Sequence, residues 1–164
     1  MADKNGVSLH WGGLDKALGK AGHKLGDTQA LMESVGEALV SGTLKRFDAE
    51  KDPEGQPWEP SGRAQEDGGQ TLTDSGRLRR SIEFAATSDK VMVGSNLLYA
   101  RIHQKGGVIT PKKAKKLVFK GRGGKKVAVD KVTMPARPFL GVSEEDMQDV
   151  RDTFADFLSR AFKA

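Results

Sequence analysis

Two adjacent glycines, Gly106 and Gly107, close a run that leaves little freedom in what the chain can build there. The run, LLYARIHQKGG over 97–107, places an aromatic, a histidine, an amide and a backbone break in one short span. On a helix over 97–104, Tyr99, Ile102 and His103 fall at i, i+3 and i+4 and share a face. Gly106 and Gly107 then end the helix, because glycine accepts the left-handed backbone that closes one. The pattern predicts a short helix laid against a sheet, an excursion over 108–134, and a return through Ala136-Arg137-Pro138-Phe139-Leu140-Gly141. Tyr99, His103, Gly106, Gly107, Arg137, Pro138 and Phe139 are therefore expected to be structural, with Phe139 anchoring the return to the core and Pro138 fixing its direction.

The flanking chain supplies the other layers. Residues 1–26 carry Leu14, Leu18 and Leu25 at a helical spacing that Gly12, Gly13, Gly19, Gly22 and Gly26 cut against, so a flexible N-terminal arm is expected. A helix over 29–47, capped by Asp27 or Thr28, has the apolar stripe Leu31, Val35, Ala38 and Leu39, extended by Leu44 and Phe47. Residues 48–70 read as a loop with a turn at Asp52-Pro53-Glu54-Gly55. Trp58, between Pro57 and Pro60, reads first as an aromatic folded over the core edge and second as a partner contact. Thr73 or Asp74 is expected to cap a short helix carrying Leu78 and Ile82, with Arg77, Arg79 and Arg80 exposed. Strands follow over 83–87 and 91–95. Ser143 opens the last helix, with Glu144, Glu145 and Asp146 in its first turn and Met147, Val150, Phe154, Phe157, Leu158 and Phe162 at helical spacing. Runs of strands between short turns, rather than alternating βαβ units, predict an α+β fold. In it a small antiparallel sheet, including a long projecting hairpin, packs against a long helix and a C-terminal helix, all within one domain over 27–164.

Charge is unevenly placed. Residues 101–137 hold twelve Lys or Arg against the single acid Asp130, whereas 138–164 hold three basic and six acidic residues. A basic middle next to an acidic end makes a polarised surface that implies partners. Within 108–134, Lys112, Lys113, Lys115 and Lys116 precede a strand over 117–120. A turn at Gly121-Arg122-Gly123-Gly124 follows, then a second strand over 125–133 that begins with Lys125 and Lys126. Such a hairpin repels itself and buries little, so it is expected to be poorly ordered in the free monomer and to insert into a neighbouring subunit. Lys112, Lys113, Lys115, Lys116, Arg122, Lys125, Lys126 and Trp58 are the candidate partner-docking residues. Docking on an acidic protein surface ranks ahead of a solvated face and of direct DNA contact, since no groove-reading element is recognisable.

Catalysis finds no foothold. His10, His23 and His103 lack metal-ligand spacing, and no carboxylate or nucleophile is placed to form a triad with His103, which reads as a hydrogen-bonded structural histidine. The 121–126 stretch fails the phosphate-loop pattern, which requires a GK[ST] ending. With no cysteine there is no disulfide or thiolate metal site, and no cofactor is expected. No apolar run approaches the roughly 18 residues of a membrane span, and MADKNGVSLHWGG lacks the order of a secretory signal, so neither membrane nor export is expected.

Several short motifs occur in order. They are Arg46-Phe47, Asp52-Pro53-Glu54-Gly55-Gln56-Pro57-Trp58, Leu72-Thr73-Asp74-Ser75-Gly76-Arg77-Leu78 and Val93-Gly94-Ser95. Tyr99-Ala100, His103-Gln104, Gly106-Gly107 and Ala136-Arg137-Pro138-Phe139-Leu140-Gly141 follow. In this order the chain resembles the phage virion-morphogenesis family, which includes tail-completion proteins of contractile-tailed phages; residues 1–25 lie outside the resemblance. The resemblance implies a non-enzymatic structural protein of the head–tail junction, found in the virion neck and in the host cytoplasm during assembly. It implies a ring of identical copies, sixfold in related neck proteins, that caps the tail tube and meets the head connector. A DNA-contacting head-completion or packaging factor is the alternative that the basic middle segment suggests.

Overall fold

Helix α1, Thr28–Ala49, is the element on which the others are laid. It begins and ends close to the predicted limits; Asp27 lies outside the described residues. The structure is a computed structural model that describes residues 7–10 and 28–163, without the side chains of 7–10, Asp67, Arg122 and 161–163. Leu31, Met32, Val35, Leu39 and Phe47 are buried along α1 at helical spacing. Each such side chain contributes about 1.5–3 kcal/mol by leaving water. At its two glycines, Gly36 and Gly42, neighbours pack directly on the helix backbone. A Cβ on Gly36 would overlap the Phe84 ring, and one on Gly42 would overlap the Asp146 carboxylate.

The main sheet is antiparallel, in the order β1, β3, β2, formed by Val7–His10, Lys90–Ser95 and Ile82–Ala86. Central β3 alternates cleanly, with Val91, Val93 and Ser95 facing inward, as a half-buried strand does. α1 packs against β2 and β3 and also against the C-terminal helix α5, Glu144–Lys163. This is the α+β arrangement expected, with one change in the sheet. Its third strand is β1, drawn from the expected N-terminal arm, with Val7 opposite Val93 and His10 opposite Lys90. β1 and β2 occupy both sides of β3, so no hydrogen-bonding edge of β3 is left for the hairpin. The predicted stripe of Leu14, Leu18 and Leu25 lies outside the described residues.

Between α1 and the sheet, 48–70 is not all loop. Helix α2, Gly62–Asp67, forms without an apolar stripe, through its ends. The Ser61 hydroxyl accepts the Ala64 N–H, and Gly68, at φ 70°, donates its N–H to the Ala64 carbonyl. The helix expected to reach Ile82 is a single turn, α3, Arg77–Arg80, preceded by Gly76 and not capped by Thr73 or Asp74. Ser81 ends it, its hydroxyl bonding the Leu78 carbonyl and meeting the Ser95 hydroxyl at 2.7 Å, and Ile82 opens β2. Helix α4 runs Ala100–Lys105, with Tyr99 at its N-cap; 97–99 is a turn closed by Ala100 N–H on the Leu97 carbonyl. Gly106 has φ 65° and ψ −173°, an extended continuation rather than a helical closure. A Cβ there would stand 2.7 Å from Ala136 N, so the returning chain also demands glycine.

The hairpin leaves the body in two separate ladders. β4 (Gly107–Ile109) pairs with β7 (Val132–Met134), and β5 (Leu117–Lys120) with β6 (Lys126–Val129). The predicted strand over 125–133 breaks at Asp130-Lys131 because the opposite arm, 110–116, holds Pro111 and four lysines and presents no strand. A 3-10 turn at Arg122–Gly124 forms the tip and comes to rest beside α2.

Ser143 opens α5 as expected. Its hydroxyl accepts the Asp146 N–H at 3.1 Å, and Asp146 Oδ2 accepts the Ser143 N–H at 2.8 Å, a reciprocal cap. Val150 is buried, Met147, Phe154 and Phe157 are half-buried, and Leu158 is exposed. Phe162's side chain lies outside the described residues.

Candidate functional site

The motif residues converge on one extended segment, 137–141. Its peptide groups are bonded in succession by side chains and backbone from distant parts of the chain. Arg137 N–H donates to the His103 carbonyl at 2.7 Å. Trp58 Nε1 donates to the Pro138 carbonyl at 2.9 Å. Gln104 Oε1 accepts the N–H of Phe139 and of Leu140, and its Nε2 donates to the Leu140 carbonyl. Arg46 Nε donates to the Phe139 carbonyl and its Nη2 to that of Gly141. The segment is thus paired like a strand without lying in a sheet, as buried peptide groups require.

Behind it, Arg46 is buried and forms an ion pair with the equally buried Asp146. Trp58 is 5% exposed and meets Phe47 edge-on at 5.6 Å, and Phe47 in turn packs on Phe139. The turn 52–55 closes against Gly141 through Pro53. Trp58 therefore belongs to the core, as its first reading held, and is withdrawn from the docking set. Phe139, fully buried against Phe47, anchors the return to the core. Sequence reasoning missed the clamp made by Arg46 and Gln104; the available signal was an arginine in register with the apolar stripe of α1.

Beside the clamp lies a cleft of about 320 Å³ between the start of α2, residues 72–78, α4 and the base of β7. Arg63, Asp74, Arg77, Tyr99, His103 and Arg137 meet there. Arg137 Nε donates to the Glu59 carbonyl, and Arg63 Nε lies 3.5 Å from Asp74. The Tyr99 and His103 rings stand edge-on at 6.0 Å. His103 departs from the expected hydrogen-bonded histidine: its Nδ1 is buried and has no partner among the described residues. Burial pushes the imidazole below its ordinary pKa, and the Arg137 guanidinium adds to the shift. Burial also lowers Arg137, opposed by Glu59. Leu72 on the cleft wall holds φ 60°, a strained value for a side-chain-bearing residue. Neither Arg63 nor Arg77 was singled out for this cleft from sequence, because residues near 63, 77, 103 and 137 meet only in the folded chain.

The remaining candidates lie on the hairpin. Lys112, Lys113, Lys115, Lys125 and Lys126 are exposed and have no acidic partner among the described residues; Lys116 approaches Asp130 at 3.9 Å. The Arg122 side chain lies outside the described residues. Val118 is 65% exposed and Phe119 43%, so the β5–β6 ladder presents apolar as well as cationic surface.

Comparison with known proteins agrees with the motif order. Protein G of Escherichia phage Mu, named for capsid assembly, is 30% identical over 144 residues, covering 82% of each chain. A Mu-like prophage G protein of Haemophilus influenzae is 29% identical over 133 residues, covering 81% of this chain and 80% of its own. No solved structure gives a significant match. The sequence model of the phage virion morphogenesis family matches residues 9–159, nearly the whole chain, and the protein belongs to that family.

Proposed function

We propose that this phage morphogenesis protein is a structural, non-catalytic subunit of the head–tail junction that completes the tail and joins it to the head. It acts as one copy in a closed ring, sixfold, meeting neck or connector proteins on one side and tail-tube proteins on the other. It resides in the virion neck, after assembly in the host cytoplasm. The observation that carries this reading is the division of labour among the residues. Arg46, Trp58, Gln104 and Phe139 are consumed by the clamp, whereas Lys112, Lys113, Lys115, Lys125 and Lys126 are exposed and have no acidic partner among the described residues. An exposed cationic and apolar hairpin is suited to a neighbour's acidic surface or sheet edge.

The test replaces Lys112, Lys113, Lys115 and Lys116 by Ser together. The variant should keep the circular dichroism and melting behaviour of the parent and fail to join heads to tails, seen as a loss of infectious particles. Unchanged particle yield overturns the docking role of the hairpin.

A second reading, a DNA-contacting head-completion factor, is favoured by the twelve cationic residues of 101–137 and by the capsid-assembly name of the Mu relative. Titration with duplex DNA separates the two. A DNA-contacting factor binds tightly at low salt and loses affinity steeply as salt rises. Structural docking predicts no strong DNA affinity at either.

A further inference from the structure

We infer that the arginine cleft receives the acidic face of α5 from a second copy of this chain, so that cleft and helix are the two unlike halves of the ring contact. This rests on the ring reading above. The cleft gathers Arg63, Arg77 and Arg137 around Leu72, Leu78 and Met134, with Asp74 the one acidic side chain among its lining residues. Arg63 is engaged with Asp74, and Arg137 donates to the Glu59 carbonyl and feels the Glu59 carboxylate, which leaves Arg77 as the uncompensated cation. Arg77 is exposed, and its guanidinium has no partner among the described residues. His103 Nδ1 at the cleft also has no partner among the described residues. An excess of positive charge over a partly apolar floor suits a carboxylate-bearing helix.

Such a helix is present in the chain itself. Glu145, Asp149, Asp152 and Asp156 fall at i, i+4, i+7 and i+11 of α5, one face about 16 Å long. Lys45 occupies the near end, 2.8 Å from Glu145 and 3.9 Å from Asp149. Among the described residues the far end is uncompensated: Asp152 accepts only the neutral Gln148 amide there, and Asp156, exposed, has no partner. Among the described residues α5 contributes none to the cleft, so each chain offers both patches and neither fills the other within one copy. Unlike patches joined head to tail repeat around an axis, and a closing rotation gives a ring. Duplex DNA fits the cleft less well, because phosphate contact asks for an open cationic track rather than a recess floored by Leu and Met.

The test is sedimentation of the full chain, with Arg77→Glu, with Asp152→Arg/Asp156→Arg, and with all three changes in one chain. All three positions are exposed, and circular dichroism checks that each variant folds. Each half alone should weaken self-association by about tenfold or more, and raised salt should weaken the parent, as expected of a charged contact. The combined chain should recover association, because the charges are then exchanged. If the parent forms rings and Arg77→Glu leaves them intact, or if the combined chain does not recover, this contact is wrong while the ring stands. If the parent stays monomeric at every concentration, ring and contact both fall. Cleft-dependent binding of duplex DNA, lost in Arg77→Glu without any change in self-association, also overturns it.

Discussion

The Gln104 side-chain amide pairs with the Leu140 peptide at both ends, donating to its carbonyl at 2.8 Å and accepting its N–H at 2.9 Å. The same Oε1 also accepts the Phe139 N–H at 3.0 Å. One side chain thus does the work of a neighbouring strand for the segment that carries Phe139 into the core. Gln104→Ala leaves three backbone groups without these partners and should cost roughly 2–4 kcal/mol. Gln104→Glu keeps the acceptor but loses the donor and should fare little better. Urea unfolding checks both; a loss in Gln104→Ala too small to measure would show that the segment holds itself.

Asp146 is the hinge between α1 and α5. It forms the ion pair with Arg46 and accepts from both the N–H and the hydroxyl of Ser143. The side chains of the pair are 8% and 2% exposed, so removing one partner strands the other charge away from water. Asp146→Ala should cost about 3–5 kcal/mol, as expected when one member of a buried pair is lost. Asp146→Asn keeps an acceptor for Ser143 and should lose less. Equal losses in the two variants would mean that only the charge matters and the cap contributes nothing.

These contacts also explain what could be read from the sequence. α1, β2, β3 and α5 were legible because apolar spacing within one segment reports directly on which face is buried. β1 was not, because its place depends on the edge of β3, more than eighty residues later. α2 was missed for a different reason: its stability comes from capping atoms at Ser61 and Gly68, which leave no periodic trace. The clamp was half visible. Arg46, Trp58, Gln104 and Phe139 stood out as motif members, but nothing in their spacing says that they hold one another. The cleft was invisible for the same reason, since a concave surface belongs to the packed chain and to no single segment.

Gly36 and Gly42 should behave contrary to helix propensity. In an exposed helix interior, Gly→Ala stabilises by up to about 1 kcal/mol. Here the added methyl meets the Phe84 ring at residue 36 and the Asp146 carboxylate at residue 42. Gly36→Ala displaces an aromatic packed at the core and should be destabilising, by about 1–3 kcal/mol. Gly42→Ala disturbs the ion pair with Arg46 and should be at least as damaging. Thermal melts of the two single variants test this, and a rise in melting temperature in either would mean that its neighbour moves aside without cost.

His103 gives the fold a pH dependence whose sign follows from its surroundings. Burial and then Arg137 hold its folded pKa below the ordinary value. As pH falls, the unfolded chain takes up the proton first, near pH ~6.5, while the folded imidazole resists it. The contribution to stability is therefore intact above ~6.5 and is lost as pH drops below it, levelling off once the folded imidazole is itself protonated. Tyr99 meets the ring edge-on, and among the described residues Nδ1 has no acceptor to hold a second proton. His103→Gln removes the titrating group while retaining a polar side chain of similar reach. Urea unfolding of the parent and of His103→Gln between about pH 7.5 and 5 isolates the effect, since carboxylates titrate alike in both. The parent should lose stability more steeply over that interval. Parallel curves would mean that the imidazole accepts its proton in the folded chain as easily as in the unfolded one, with the Arg137 charge and the burial offset by some acceptor that reaches Nδ1.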